Sequence, residues 1–395
     1  MRPFTLSRLP ELVFGEGRLF DLPSILKNRG LRSAALLTGG KSFRLGEAYG
    51  RLRRELDLAG VGVLEFSVSG EPSPELVDGV TAELRDARGT RPDAVVAIGG
   101  GSVIDAAKAV AAMMTMDGGI ADYLEGVGTR VPSGARLPLI AVPTTSGTGS
   151  EATKNAVISR VGRDGFKKSL RHDNYAPDTA VVDPLLVLSC PRDVSAASGL
   201  DAVTQLLEAY TSIRSTPFTD ALALPALRTA GLCFPRVLKD GGDREARAGM
   251  AYAAYVSGVC LAHAGLGVVH GIASPLGGMF DVPHGVVCGS LVAEATRYTV
   301  ARAMKIDDES EDSALRKYAR AGAALSGSDA GSDIGNAALL VKTLEALIAS
   351  AGLPKLGGYG VTEADARLVA EKTDAKSHPI PLSSDDVFAI LRERL

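Results

Sequence analysis

The chain has 395 residues, of which 46% are hydrophobic and 23% charged, and 43 Lys and Arg against 46 Asp and Glu leave a net charge of −3. This composition excludes a disordered, collagen-like or coiled-coil chain, and the lack of a basic excess argues against nucleic-acid binding. Uninterrupted apolar runs stay shorter than the roughly 18 residues of a membrane span. No signal-peptide core follows Met1 and the four cysteines lie far apart, so we expect a cytoplasmic enzyme with reduced thiols and no membrane partner.

Short apolar runs alternate with helix-like segments in the first 185 residues. The runs are apolar at every position, as expected for strands buried on both faces of a parallel sheet. The predicted strands are residues 34–38, 63–66, 94–98, 139–142 and 180–182, and the helical segments between them include residues 43–59 and 74–88. This alternation predicts an open α/β sheet, in which nucleotides usually bind at the carboxyl ends of the strands.

A glycine-rich turn, GGGS at residues 99–102, follows the third predicted strand and opens a helix. Glycines let the backbone approach a ligand closely, and the free N–H groups of a helix N-terminus favour a phosphate. The alternative is an ordinary tight turn, but the flanking strand and helix and the serine favour phosphate binding. A second polar loop, PTTSGTGSE at residues 143–151, follows the next strand. It should face the same cleft and clamp the same cofactor.

Strand signals fade after Pro191, and the second half of the chain is predicted to be all-helical. The predicted helices are residues 194–211, 217–238, 243–262, 286–305, 312–324 and 334–350. We therefore expect an α/β dinucleotide-binding domain at residues 1–185 and an all-helical domain at residues 186–395.

A carboxylate and a group of histidines in the second half form a candidate metal site. Asp201 and Gln205 lie four residues apart on one face of a predicted helix. His270 and His284 are both followed by glycine, and His263 lies close before them. Neutral imidazole together with carboxylate suits divalent iron or zinc. A histidine among apolar residues is more often a hydrogen-bonded core residue, and for His263 this alternative stays open.

The chain resembles the iron-containing (group III) alcohol dehydrogenase family, within the dehydroquinate synthase-like fold. The motifs that carry the resemblance are LVFGEG at residues 12–17, GGGS with Asp105 and Lys108, residues 143–151, residues 201–210, His270-Gly271, and PHG at residues 283–285. The resemblance implies a Rossmann-like domain, a helical metal domain, a cleft between them, and a homodimer or larger homo-oligomer. It also implies reversible hydride transfer between NAD(P)H and a small aldehyde or ketone, with the metal as Lewis acid.

Carried over through this resemblance, the four metal ligands fall on Asp201, Gln205, His270 and His284. The family has a histidine where Gln205 stands, and a neutral amide oxygen is a poorer donor to iron or zinc. Weak metal binding, a changed metal preference, or none at all is therefore expected. Ser274 replaces a frequent histidine near the nicotinamide, so a proton relay there would need the hydroxyl or a water. His263 replaces a frequent asparagine, and about 10 Å of helical rise would separate it from His270.

The ribose end of the cofactor site favours NADP, with NAD as the alternative. NAD-preferring members carry an aspartate where this chain has Gly39, and such a charge would repel a 2′-phosphate. Lys41 and Ser42 can meet an anion, although Lys41 is equally explained as a solvated surface charge. Lys167 matches a family lysine near the cofactor. The candidate cofactor-binding residues are Gly39, Lys41, Ser42, Gly99, Gly100, Gly101, Ser102, Asp105, Thr144, Thr145, Thr148 and Lys167.

Three functions remain open from the sequence. The first is a metal-assisted NAD(P)-dependent alcohol dehydrogenase or aldehyde reductase acting on a small carbonyl or alcohol. Its candidate catalytic residues are Asp201, His270, His284, Ser274 and His263. The second is a metal-independent reductase similar to maleylacetate reductases, which Gln205 supports. The third is a non-catalytic NADP-binding protein, against which the full cofactor pattern argues.

Overall fold

A six-stranded parallel sheet forms the centre of the N-terminal half in the computed structural model, which describes residues 3–40, 42–86, 91–306, 308, 310–375 and 377–395. Its strands follow the order β1-β8-β5-β4-β2-β3. They are β1 (Glu11–Phe14), β2 (Ser33–Gly39), β3 (Gly62–Val68), β4 (Ala94–Gly99), β5 (Leu139–Pro143) and β8 (Thr179–Val182). A separate antiparallel hairpin is formed by β6 (Asn155–Arg160) and β7 (Phe166–Arg171).

Helices cover both faces of the sheet, which explains why its strands are apolar at every position. They are α1 (Leu22–Asn28), α2 (Glu47–Leu58), α3 (Pro74–Asp86) and α4 (Gly101–Met113). Alternate residues of β2 enter opposite cores: Ala35 and Leu37 pack in the core that includes α3 and α4, whereas Ala34 and Leu36 pack in the core that includes α1 and α2. The carboxyl ends of the strands and the first turn of α4 remain available at one edge.

Nine α-helices and one short 3-10 helix at Leu356–Tyr359 form the described part of the chain after the 3-10 helix at Pro184–Val187. The α-helices are α5 (Arg192–Thr211), α6 (Pro217–Lys239), α7 (Arg244–Ala264), α8 (Val268–Met279), α9 (His284–Ala303), α10 (Ala314–Ser326), α11 (Asp333–Ala351), α12 (Glu363–Lys372) and α13 (Ser384–Arg392). Helix α5 is buried from Gly199 to Thr211 and packs against α6, α7 and α9. Any polar side chain on this part of α5 is therefore held away from water.

Two helices, α6 and α11, are long and apolar enough to cross a membrane by length and composition, and the bent pair α7 and α8 would make a third span. Both α6 and α11 instead supply the helical core, with Leu227 and Phe234 from α6 and Leu340 and Leu344 from α11. Helix α6 also carries Arg236, which pairs with acidic surface groups. These segments therefore contribute side chains to the core of the helical region.

The predicted fold class is confirmed: a parallel-sheet domain is followed by a helical region, and all five predicted strands and six predicted helices are present. The predicted helix at residues 74–88 runs to Asp86, and its last two positions lie outside the described residues. Strand β1, helices α1, α8, α12 and α13, and the β6–β7 hairpin were not predicted. Helix α8 contains Gly271, Pro275 and Gly277, which have low helix propensity.

One expectation about His263 is wrong. The rise of about 10 Å between His263 and His270 assumed a single helix, but the chain breaks after Ala264, and α7 and α8 meet at a bend of 96°. Gly265 has a φ of +69° at this break, a conformation that glycine adopts without steric cost. The two histidines therefore lie on different helices.

Candidate active site

A cleft of about 930 Å³ lies where the carboxyl edge of the parallel sheet meets the helical region. The sheet side contributes Gly101, Ser102 and Thr148, and the helical side contributes His270 and His284. Both sequence-predicted groups, the glycine-rich turn and the histidines, therefore line the same space.

The glycine-rich turn presents bare backbone to this cleft. A Cβ atom at Gly101 would lie 2.6 Å from Thr148 Oγ1, and one at Gly99 would lie 2.4 Å from Val103 Cγ2. Gly100 is the N-cap of α4, and no side chain caps the helix. The positive end of the helix dipole is thus free to meet an anion, as a phosphate-binding turn requires.

The remaining predicted cofactor residues divide into cleft-lining and supporting groups. Thr145 lies beside Gly100, and Thr144 N donates to the Gly99 carbonyl oxygen at 3.0 Å, so both support the turn. Asp105 lines the cleft, but its Oδ1 accepts from Ser150 Oγ at 2.5 Å and its Oδ2 from Val157 N at 3.0 Å. These bonds tie α4 to the following loop and to β6.

At the ribose end, Gly39 is half-buried at the end of β2 and Ser42 is exposed, while Lys41 lies outside the described residues. Arg44, which the sequence analysis did not single out, lies at the same end of the strands. Its guanidinium donates to Thr38 Oγ1 at 2.6 Å and to the Phe66 carbonyl oxygen at 2.8 Å. A fixed positive charge therefore lies beside the end of β2.

Four side chains from three helices converge at the other end of the cleft: Asp201 of α5, His270 of α8, and His284 and Cys288 of α9. One ligand atom from each lies within 4.8 Å of all the others. Asp201 Oδ1 is 3.4 Å from His270 Nε2 and 3.8 Å from His284 Nε2. Cys288 Sγ is 3.6 Å from each of these two nitrogens.

A second layer of polar groups orients these side chains. Glu208 Oε2 lies 2.7 Å from His270 Nδ1, which leaves Nε2 directed at the cluster, as in carboxylate–histidine–metal arrangements. Gln205 Nε2 donates to Asp201 Oδ2 at 3.0 Å, and Gln205 Oε1 accepts from Ser257 Oγ at 3.0 Å. Both ends of the glutamine amide are thus engaged within the protein.

Burial and mutual charge shift the pKa values of these groups. Burial lowers the pKa of His284 to about 4, against the opposing effect of Asp201, and raises that of Cys288 to about 12. Burial also tends to lower the pKa of His270, but Cys288, Asp201 and Glu208 outweigh it and raise that pKa well above its ordinary value. The pKa of Asp201 falls despite burial, because His284 and His270 favour the carboxylate.

The cluster fits a divalent metal ion. Asp201 is 1% exposed, and its Oδ1 has no hydrogen-bond partner among the described residues. A buried carboxylate oxygen left in this state is costly unless a cation compensates it. Oxygen, nitrogen and sulfur donors together suit zinc or iron.

Ser274 and Lys167 line the cleft, whereas His263 is not among its lining residues. Ser274 Oγ donates to the Lys167 carbonyl oxygen at 2.9 Å, and Lys167 Nζ pairs with Glu71 Oε2 at 2.9 Å. His263 Nδ1 lies 2.8 Å from the Val259 carbonyl oxygen, and Nε2 lies 3.2 Å from Ser7 Oγ. This arrangement matches the hydrogen-bonded alternative for His263.

Comparison with known proteins identifies the family. A model described as iron-containing alcohol dehydrogenase matches residues 10–184, and the model of the family's C-terminal region matches residues 195–395. The chain belongs to the iron-containing alcohol dehydrogenase family. It is therefore an oxidoreductase of the alcohol dehydrogenase type, as its resemblance implied, and the family implies a nicotinamide dinucleotide and a divalent metal.

Individual relatives of this alcohol dehydrogenase match along nearly the whole chain. It is 34% identical over 387 residues to long-chain-alcohol dehydrogenase 1 of Geobacillus thermodenitrificans, covering 95% of this chain and 93% of that protein. It is 31% identical over 388 residues to 1,3-propanediol dehydrogenase of Citrobacter freundii, covering 96% of each. The crystal structure of a 1,3-propanediol oxidoreductase matches with a TM-score of 0.87 and 29% identity over 100% of both chains.

Three residues of this site were missed from the sequence: Cys288, Glu208 and Arg44. Cys288 follows His284 by four residues, a spacing that places two side chains on one helical face once the predicted helix at residues 286–305 is extended back to His284. That signal was available for Cys288. The contacts of Glu208 with His270 and of Arg44 with the end of β2 arise from the fold and had no comparable local signal.

Proposed function

We propose that the protein is an NADP-preferring alcohol dehydrogenase or aldehyde reductase that transfers hydride reversibly between NAD(P)H and a small aldehyde, ketone or alcohol. The observation that carries the proposal is the single cleft lined by both the turn at Gly101 and the cluster of Asp201, His270 and His284. A dinucleotide whose phosphates meet the first turn of α4 can extend its nicotinamide toward this cluster.

The residues of the helical side would hold the reacting oxygen. Asp201, His270 and His284 would hold a divalent zinc or iron ion, which supplies Lewis-acid polarisation of a carbonyl when bound. Glu208 fixes the ring of His270, so that its Nε2 keeps one direction. Ser274 is the proposed proton-relay residue, although its hydroxyl donates to the Lys167 carbonyl oxygen and would have to turn toward the substrate.

The ribose end of the cleft supports the choice of NADP. Gly39 brings no carboxylate to the end of β2, and only Val103 Cγ2, at 3.9 Å, would touch a Cβ there. Arg44 places a cation beside the same strand end. A 2′-phosphate would meet the charge of Arg44 in competition with Glu65, whose Oε2 lies 3.8 Å from Arg44 Nη1. It would meet no carboxylate at position 39, which favours the phosphorylated cofactor.

The metal-independent reductase is the weaker candidate. Such an enzyme would need no cation opposite Asp201, yet Asp201 Oδ1 is buried without a hydrogen-bond partner among the described residues. In the sequence, Gln205 supported the metal-independent reductase. In the structure, its amide nitrogen donates to Asp201 Oδ2. That bond supports a role in orienting the carboxylate.

We also propose a cytoplasmic homodimer or larger homo-oligomer, with domains at residues 1–185 and 186–395. Strand β8 ends at Val182 and α5 begins at Arg192, which supports the boundary. Strand β1 lies at the edge of the sheet, where a second chain can add. Exposed apolar side chains in and just before β1 support such contact: Phe4, Leu6, Leu9, Leu12 and Phe14.

The test is a comparison of NADPH and NADH in the wild-type protein and in Gly39→Asp. The new carboxylate should weaken NADPH binding by about 5- to 150-fold, equivalent to 1–3 kcal/mol, and leave NADH binding nearly unchanged. Dissociation constants from nucleotide fluorescence titration, together with steady-state aldehyde reduction, give the answer. Equal losses for the two cofactors would overturn the placement of Gly39 beside the 2′-position.

A further inference from the structure

We propose that Cys288, in place of Gln205, completes the metal-binding set of this chain, so that one carboxylate oxygen, two imidazole nitrogens and one thiolate sulfur hold the ion. The inference rests on the proposed function, because it assigns a ligand to the metal on which that function depends. It differs from the ligand set that the family resemblance implies, in which the residue four positions after Asp201 is a ligand.

The position of Cys288 in the fold brings its sulfur to the cluster. It lies four residues after His284 on α9, so the two side chains share one helical face. Cys288 is fully buried, and its Sγ is 3.6 Å from both His270 Nε2 and His284 Nε2.

These separations match a shared ion. Zinc binds sulfur at about 2.3 Å and imidazole nitrogen at about 2.0–2.1 Å, so tetrahedral geometry separates sulfur from nitrogen by about 3.5 Å. The two measured separations from Cys288 Sγ are both 3.6 Å. The 3.4 Å between Asp201 Oδ1 and His270 Nε2 likewise matches the oxygen–nitrogen edge of about 3.4 Å in such a site. The 3.8 Å between Asp201 Oδ1 and His284 Nε2 is about 0.4 Å longer than this edge, so the two groups would have to close slightly around the ion.

Both polar atoms of the Gln205 side-chain amide already have hydrogen-bond partners in the protein. Its amide nitrogen donates to Asp201 Oδ2, and its amide oxygen accepts from Ser257 Oγ. An amide oxygen turned toward the metal would remove the donor from Asp201 Oδ2. Gln205 therefore acts as a positioning residue that holds the carboxylate while its other oxygen, Oδ1, faces the cluster.

An independent observation also indicates a cation at this point. Asp201 Oδ1 is buried and without a hydrogen-bond partner among the described residues, and it faces the nitrogens of two histidines. Asp201 Oδ1, the Nε2 atoms of His270 and His284, and Cys288 Sγ converge there within 4.8 Å of one another. A divalent ion satisfies all four at once.

A thiolate ligand changes the chemistry of the site in a defined way. On binding, the Cys288 thiol loses its proton to solvent and the sulfur lone pair bonds to the metal. The carboxylate and the thiolate together then balance the two positive charges of the ion. Soft sulfur also favours zinc over iron relative to a site built of oxygen and nitrogen alone.

The test is X-ray absorption spectroscopy at the zinc edge on full-length protein, stripped of metal under reducing conditions and reloaded with one equivalent of zinc. The wild type should show one sulfur scatterer at about 2.3 Å with nitrogen and oxygen at about 2.0–2.1 Å. Cys288→Ser should lose the sulfur shell and bind zinc at least about 10-fold more weakly. The matched control is Cys233→Ser, which alters a buried cysteine of α6 outside the cluster and should keep the wild-type spectrum.

Two outcomes would overturn the inference, and a third would overturn only the proposed function. Stoichiometric zinc with only nitrogen and oxygen neighbours in the wild type would exclude Cys288 as a ligand and leave a metal-dependent dehydrogenase intact. A sulfur shell that persists in Cys288→Ser would assign the sulfur elsewhere. A sulfur shell with no aldehyde-dependent oxidation of NADPH or NADH would instead support the ligand and reject the proposed function.

Discussion

The two sides of the cleft are suited to hold their proposed ligands by different means. The nucleotide side is one continuous turn, Gly99 to Ser102, that offers backbone N–H groups at the start of α4. The metal side is assembled from Asp201, His270 and Cys288 on three separate helices. On the nucleotide side, the absence of side chains would let a phosphate approach the backbone closely. On the proposed metal side, particular side chains from different helices would supply the ligand atoms.

This difference explains which changes each side tolerates. The turn cannot accept a Cβ at Gly101 without moving Thr148, so its sequence is closely constrained. A side-chain site can exchange one ligand for another if a second donor lies within reach. Glutamine at position 205 and cysteine at position 288 are, in our account, such an exchange.

The largest effect is expected for Asp201→Ala, which removes the central carboxylate of the metal side. Lewis-acid stabilisation is worth several kcal/mol, so aldehyde reduction should fall by about 100- to 1,000-fold while NADPH binding changes little. Steady-state kinetics and fluorescence titration measure the two quantities. Asp193→Ala, an exposed aspartate in the first turn of the same helix, is the control; equal activity in both variants would refute a metal role for Asp201.

On the nucleotide side, Gly101→Ala should weaken dinucleotide binding by about 5- to 150-fold, because overpacking typically costs about 1–3 kcal/mol. The added methyl group would meet Thr148 Oγ1 at 2.6 Å. Metal content should stay unchanged. Gly40→Ala is the matched control, since nothing lies within 4 Å of a Cβ there. Loss of metal along with cofactor affinity would show that the two sides are not independent.

The smallest effect is expected beneath the nucleotide side, at Asp178, which joins Arg136 and the backbone N–H of Leu139 at the start of β5. Burial tends to raise the pKa of Asp178, but Arg136 and the Leu139 N–H outweigh it and lower that pKa from 3.8 to about 2. Because the folded-state pKa lies below the unfolded one, the carboxylate stabilises the fold above about pH 4 and ceases to do so as pH falls through 2.

Asp178→Asn should therefore cost about 2 kcal/mol of unfolding free energy at pH 7 and flatten the stability profile between pH 4 and 2. Urea unfolding across this range measures both quantities. Asp164→Asn, at an exposed position, should leave the profile unchanged. An acid transition of wild-type steepness in Asp178→Asn would mean that other carboxylates control it.

The same contrast governs what could be predicted from the sequence. The nucleotide side could be predicted from neighbouring residues, because the continuously apolar residues 94–98 are followed at once by GGGS. The parallel sheet, the turn and the family were predicted from such local patterns. His270 and His284 stood out because histidine is rare in this chain, which has five.

The rest of the metal side depends on packing between distant helices. Helix α8 carries His270, yet Gly271, Pro275 and Gly277 weaken its helical signal. The bond between Glu208 and His270 exists only because α5 and α8 lie together. The separation of His263 from His270 also depends on packing, since the break after α7 places the two residues on different helices, and the His263 ring lies against Ser7.

The most direct test of the account is the metal content of the protein purified anaerobically without chelator, measured together with NADPH-dependent aldehyde reduction. The account predicts about one zinc or iron per chain, loss of activity when a chelator removes the metal, and recovery on reloading. Undiminished aldehyde reduction by protein that contains no metal and binds none from added zinc or iron salts would contradict it.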